Sequence, residues 1–159
     1  MLRKILTIPN LILTTKAKEL KEINKDTEAL VLDMIDTCRK AEGIGLAAPQ
    51  IGLSIRLCII NLEHLGINPF PLINPKITKR SWKKIEMEEG CLSIPGIFGI
   101  VKRPKKITIK ALNLKGEEIK IEADDMLARV IQHEIDHLDG ILFISKIVKL
   151  TKGTIPGSM

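Results

Sequence analysis

The sequence predicts an α+β fold in which small antiparallel or mixed β-sheets surround a central helix, with one further long helix nearer the N-terminus. Three observations carry this. Residues 26–41 place Leu30, Val31, Met34, Ile35 and Cys38 at helical spacing, with charged residues elsewhere. A second segment, residues 124–139, is periodic yet apolar on several sides, as suits a helix buried in the middle of a domain. Short β-type runs fill the chain between them.

The first helix is followed by residues 43–52, rich in Gly and Ala, and then by Ile55-Arg56-Leu57-Cys58-Ile59-Ile60, a β-type run. Cys38 and Cys58 read as small core hydrophobes and His64 as an ordinary loop residue. Extended segments are expected around Leu72-Ile73-Asn74 and over residues 77–88. Residues 106–112 and 117–122 flank Asn113-Leu114-Lys115-Gly116 and read as a hairpin with Gly116 at its turn. Asp124 or Asp125 is the N-cap candidate of the second helix, and Gly140 is its stop signal.

A length of 159 residues fits one domain, residues 1–159, with a core able to stand without disulfides. Aromatic residues make up 3% and tyrosine is absent, so Ile, Leu and Val must build that core. Three widely spaced cysteines form no disulfide framework and point to a reducing compartment. The first ten residues lack the apolar stretch and cleavage pattern of a signal peptide, and no apolar run approaches the ~20 residues needed to span a bilayer. A cytoplasmic protein with no membrane partner is therefore expected. The net charge of +6 is compatible with RNA, but the lysines are spread along the chain, only residues 102–106 concentrate them, and no aromatic is interleaved for base stacking. Direct sequence-specific nucleic-acid recognition is not expected.

His133-Glu134-Ile135-Asp136-His137 is the most informative stretch. With about 3.6 residues per turn, His133 and His137 lie one above the other and can reach one ion, while Glu134 projects to the side as a general base. Satisfied histidines on an amphipathic helix would give the same pattern. A catalytic site needs a third ligand and an open position. Cys91, in Glu89-Gly90-Cys91-Leu92-Ser93, is a candidate for it, against the alternative of a buried structural cysteine. Gly43-Ile44-Gly45-Leu46-Ala47-Ala48-Pro49-Gln50 lets backbone approach a ligand closely, and Gln50 offers an uncharged amide donor.

Those three motifs, in that order, resemble those of the peptide deformylase family. The resemblance extends to Leu72-Ile73-Asn74-Pro75, Ile94-Pro95-Gly96 and Val101-Lys102-Arg103-Pro104, and reaches about Phe143. It implies sheets wrapped around a central metal-binding helix, and a hydrolase acting on linear amides, which removes the formyl group from the N-terminal formylmethionine of newly synthesised proteins as formate. It implies that Cys91, His133 and His137 hold one divalent metal, that Glu134 is the acid/base for a metal-bound water nucleophile, and that Gln50 and the Leu92 N–H donate to the formyl oxygen. It also implies a substrate site of Gly43, Ile44, Gly45, Met87, Met126 and Val130. Fe²⁺ is the expected native metal, with Zn²⁺, Ni²⁺ or Co²⁺ also accepted. The partners it implies are nascent N-formylmethionyl polypeptides near the ribosome, met by a monomer. Asp136 and Arg103 are expected to pair beside the metal helix, and Glu89 to fix the Cys91 loop.

Two other functions compete. A zinc endopeptidase shares the His-Glu-x-x-His pattern, but would take a third His or Glu after the helix, and none follows. A non-catalytic, ribosome-associated metal-binding protein would not need Glu134 and Gln50. Residues 144–159 depart from the family: with Gly153, Pro156 and Gly157 they cannot build the long C-terminal helix of one branch. Residues 141–148 are expected as a terminal strand and the last residues as disordered or truncated.

Overall fold

A computed structural model describes residues 1–157, and the expectation about the last residues lies in part outside them. Helix α1 (Lys25–Lys40) begins where Asn24 accepts hydrogen bonds from the Asp26 and Thr27 N–H groups while Thr27 accepts one from the Asn24 N–H. Asp26 and Glu28 in its first turn and Arg39 and Lys40 in its last complement the helix dipole. Its buried face of Val31, Met34, Ile35 and Cys38 packs on Leu46, Leu57, Ile59 and Ile73.

The strands form two sheets. Strands β1 (Gly45–Ala47), β2 (Leu57–Ile60), β3 (Phe70–Arg80), β6 (Lys106–Leu112) and β7 (Glu118–Asp124) make a five-stranded sheet in the order β1-β2-β3-β6-β7. Strands β4 (Lys84–Cys91), β5 (Ile94–Pro104) and β8 (Ile147–Lys152) make a three-stranded sheet in the order β4-β5-β8. Pairing within both sheets is antiparallel, and an isolated parallel bridge joins Lys18 to Ile55. The β6–β7 pair is the expected hairpin, with Gly116 at φ 76°.

Helix α2 (Asp125–Leu138) lies between the sheets, against β1, β2, β6 and β7 on one side and β5 on the other. Ala128, Ile131, Ile135 and Leu138 join Cys58, Ile60, Leu72 and Ile109 in one core cluster. Burying each of the larger of these aliphatic side chains contributes about 1.5–3 kcal/mol. The Asp124 carboxylate caps the start by accepting from the Asp125 N–H, and Gly140 at φ 73° ends it. Among the described residues no helix is long and apolar enough to cross a membrane.

The structure corrects two local expectations and adds one strand. Residues 77–88 are not one extended segment: β3 ends at Arg80 and β4 starts at Lys84 in the other sheet. Ser81 makes the break, since its Oγ accepts from the Lys106 N–H and donates to the Lys83 carbonyl. Strand β5 went unrecognised because Pro95, Gly96 and Gly99 interrupt it. Gly99 is required there, for an added Cβ would lie 2.7 Å from the Ile147 side chain crossing over it. The terminal strand begins only at Ile147, after a 3-10 turn, Phe143–Lys146, that buries Phe143.

Gly140 seats the end of α2 on the Thr14–Thr15 backbone, where a Cβ would come within 2.8 Å of the Thr14 carbonyl. Gly140→Ala adds this clash to an unfavourable positive φ and is expected to cost about 2–4 kcal/mol. Urea unfolding should show a lower midpoint at unchanged slope; an unshifted midpoint would refute this account of the helix end.

Candidate metal centre

One helical turn separates His133 from His137 on α2, and their ring centroids lie 5.0 Å apart. Cys91, at the end of β4, reaches them from the opposing sheet. One donor atom from each of the three lies within 4.8 Å of the others, and Cys91 Sγ is 3.2 Å from His137 Nε2. An ion with bonds of ~2.0–2.3 Å can close such a span. A thiol and two imidazoles form a donor set for a borderline-soft divalent metal, and His137 Nδ1 and Glu134 Oε2 beside it are buried without hydrogen-bond partners among the described residues. The residues present therefore fit one metal ion.

Glu89 orients the first histidine. Its carboxylate accepts from His133 Nδ1 at 2.8 Å, leaving Nε2 as the donor atom for an ion. The same carboxylate accepts two bonds from Arg103, at 2.6 and 2.9 Å, and one from Arg129 at 2.7 Å. Burial pushes the Glu89 pKa up, but the bonds from Arg103 and His133 prevail and hold it well below the usual carboxylate range. Arg103 also donates to Asp136 at 2.7 Å, the pair expected from the sequence, and Lys146 meets Asp136 at 2.8 Å. The hydrogen bonds that Glu89 accepts come from two arginines and a histidine.

The imidazoles differ in basicity. Burial lowers the pKa of both; at His133 the nearby Cys91 sulfur and the bond to Glu89 reverse the effect and raise it to about 10. At His137 burial and the positive charges of His133 and Arg103 act together and push it well below its ordinary value. The metal-free cluster thus carries a proton on His133, which metal binding would release.

Glu134 is 3% exposed. Burial first, then repulsion from Glu89, raises its pKa from 4.5 to about 7 against the pull of His133 and Arg103. Its carboxylate rests on β1, where a Cβ at Gly45 would lie 2.6 Å from Oε1. Gln50 is fully enclosed. Its Oε1 accepts from the Ala47 N–H at 2.9 Å, which turns its NH₂ toward Ser93 Oγ at 3.1 Å and Cys91 Sγ at 3.6 Å.

A cleft of about 460 Å³ opens over these groups. Gly43, Ile44, Gly45, Gln50, Met87, Cys91, Leu92, Met126, Val130, His133 and Glu134 all line it, while His137 sits behind, 1% exposed. Sequence reasoning missed Arg129, Ser93 and Phe98. Arg129 precedes His133 by one helical turn, so a cation on a buried helix face was the available signal. The Phe98 ring covers Gly90, where a Cβ would lie 2.5 Å from it, and so gives that glycine its reason.

A sequence profile described as Polypeptide deformylase matches residues 2–153. The peptide deformylase of Halothermothrix orenii is 50% identical over 139 residues, covering 87% of this chain and 89% of that protein. The peptide deformylase of Natranaerobius thermophilus is 49% identical over 145 residues, covering 91% and 92%. The crystal structure of peptide deformylase from Thermotoga maritima superposes with a TM-score of 0.89 at 36% identity, covering 92% of this chain and 98% of that one. A peptide deformylase from Synechococcus elongatus in complex with actinonin gives 0.87 at 37% identity, covering 91% and 78%.

The raised Glu134 pKa sets a pH dependence of stability. The folded state holds an extra proton between 4.5 and about 7, so stability falls as pH rises through that window, by about 3 kcal/mol in the metal-free protein. Glu134→Gln removes the penalty. Chelator-treated variant is expected to resist urea better than the parent at pH 8 and nearly equally at pH 5; equal midpoints at pH 8 would contradict the buried-carboxylate assignment.

Proposed function

The chain belongs to the polypeptide deformylase family, and from that premise we propose that Cys91, His133 and His137 hold one divalent ion while Glu134, Gln50 and Leu92 act on the formyl group. The enzyme is a hydrolase that removes the N-formyl group from the N-terminal formylmethionine of newly made proteins and releases formate. One observation carries the residue assignment: a buried, partly unpaired carboxylate, Glu134, pressed against Gly45 beside the Cys-His-His cluster.

A divalent ion in this site would supply Lewis acidity, polarising a carbonyl and acidifying water. Glu134, with its pKa near neutrality, takes a proton from the attacking water and returns it to the departing amine. Gln50 is fixed by the Ala47 N–H, and its NH₂ is aimed across Cys91 Sγ. It exchanges that long contact for the oxyanion developing on the formyl oxygen, with the Leu92 N–H as second donor. A formyl carbon bears only hydrogen, so a closely walled site excludes acetyl by overpacking.

Strand β1 is an edge of its sheet, and while the Ile44 carbonyl already accepts from the Asn61 N–H at 2.8 Å, the Gly45 main chain is left to pair with the substrate backbone as an added strand. Ile44, Met87, Met126 and Val130 form the slot for the methionine side chain, and Gly43 lines the same cleft. The thiolate ligand moderates the acidity of the ion, and Fe²⁺ is the native metal, with Zn²⁺, Ni²⁺ and Co²⁺ as alternatives. The protein works as one catalytic domain, residues 1–159, as a monomer in the cytoplasm, on nascent chains near the ribosome.

Anaerobically purified protein loaded with Fe²⁺, Ni²⁺ or Zn²⁺ should release formate from formyl-Met-Ala-Ser. Glu134→Ala should lower kcat by about 10²–10⁴ and Gln50→Leu by about 10²–10³, with metal content kept. Stoichiometric metal binding without formate release under any loading would sink the assignment.

A further inference from the structure

The turn between β3 and β4 presents Trp82, the sole tryptophan of the chain, at 100% exposure. This is not a loose loop. The Ser81 N–H donates to the Lys106 carbonyl at 2.9 Å, the Lys105 N–H donates to the Lys83 carbonyl at 2.9 Å, and Ser81 Oγ closes the turn onto Lys83. The backbone is pinned on both sides of an indole that no described residue covers. A tryptophan held in water forgoes about 1.5–3 kcal/mol of available burial, which a partner would recover.

Cations surround it. Thr78-Lys79-Arg80-Ser81-Trp82-Lys83-Lys84 carries Lys79, Arg80, Lys83 and Lys84 without an acidic residue, and all four are exposed. None of them pairs with a carboxylate among the described residues, unlike Lys105 and Lys106, which meet Asp124, and Lys146, which meets Asp136. Residues 79–84 interleave a tryptophan with four cations, which corrects the expectation that only residues 102–106 concentrate basic residues and that no aromatic is interleaved, and folding carries 102–106 to the same tip. Below the turn lies a hollow of about 460 Å³ whose walls include Arg80, Lys84 and Lys102. Its acidic member, Asp136, is already neutralised by Arg103 and Lys146. Glu86, opposite Lys102 in the β4–β5 ladder, is the nearest other carboxylate along that strand.

From this juxtaposition we propose that the β3–β4 tip is a binding site for single-stranded RNA, in which a base stacks on Trp82 and the flanking phosphates meet Lys79, Arg80, Lys83 and Lys84. Stacking on an aromatic within a basic track binds RNA with little regard to sequence. An anionic membrane fits less well, because Trp82 has no exposed aliphatic neighbour in its turn to insert with it, and the exposed large apolar side chain in the walls of the hollow is Val148 on β8. Cys91 lies seven residues along β4 from Lys84, about 20 Å away at ~3.3 Å per residue. Bound RNA would therefore leave the cleft open.

With no tyrosine present, intrinsic fluorescence reports Trp82 alone. Metal-loaded protein titrated with a single-stranded oligoadenylate should show saturable quenching. Four phosphate contacts predict affinity about 50-fold weaker at ~200 mM than at ~50 mM salt. Lys83→Ala with Lys84→Ala should halve the dependence on log salt, and Trp82→Ala, followed by anisotropy of a labelled oligonucleotide, should weaken binding about 10-fold. Formate release should be unchanged in each variant. Absent quenching at the lower salt, binding indifferent to the lysine substitutions, or a blue shift with phosphatidylglycerol vesicles and no response to RNA would each overturn the proposal.

Discussion

The buried carboxylate of Glu89 is the constraint on which the rest depends. It stands at the junction of β4, β5 and α2, accepting two bonds from Arg103, one from Arg129 and one from His133. Through Arg103 the network continues to Asp136 on α2, and through Arg129 to the carbonyls of Ile85 and Val101. The small sheet is thereby fixed to the helix that carries both histidines. A buried charge is tolerated only when its partners are complete, and here loss of the Glu89 charge would leave Arg103 with Asp136 alone and Arg129 with backbone carbonyls only. The arrangement stabilises a geometry as much as a fold, since His133 offers Nε2 to the cluster only while Nδ1 is held.

Glu89 and Glu134 show how one side chain serves two purposes. Both are buried within a few residues of the cluster, yet Glu89 is ringed by cations and stays ionised while Glu134 faces an apolar cleft and approaches neutrality at ordinary pH. Their separation in pKa suits them to different labour: in the proposed mechanism one glutamate holds a ligand still and the other moves protons. Glycine makes both close approaches possible. Gly45 lets the Glu134 carboxylate lie on β1, and Gly90 lets Phe98 cover the strand beside Cys91.

Legibility in the sequence followed the range of the interaction. The His133–His137 spacing, the Asp124 cap, the Gly140 stop and the turn at Gly116 are local, and each was readable within a few residues. The Cys91 and Gln50 elements became readable through motif resemblance, and the cleft brings them beside the histidines. Strand β5 was hidden because its proline and glycines argue against a strand locally, while the reason for Gly99 lies in Ile147, 48 positions onward. The partners of Glu89 and the presentation of Trp82 were hidden for the same cause: each is fixed by contacts that only the tertiary arrangement creates.

The most direct test is the metal affinity of Glu89→Gln, an uncharged near-isostere, measured by chelator competition beside the parent protein at matched pH, with near-ultraviolet circular dichroism to verify folding. If Glu89 holds His133 in register, affinity should fall about 10–100-fold while the folded spectrum persists. Unchanged affinity in a folded variant would contradict the account, and would mean that the ligands hold their geometry without the buried carboxylate.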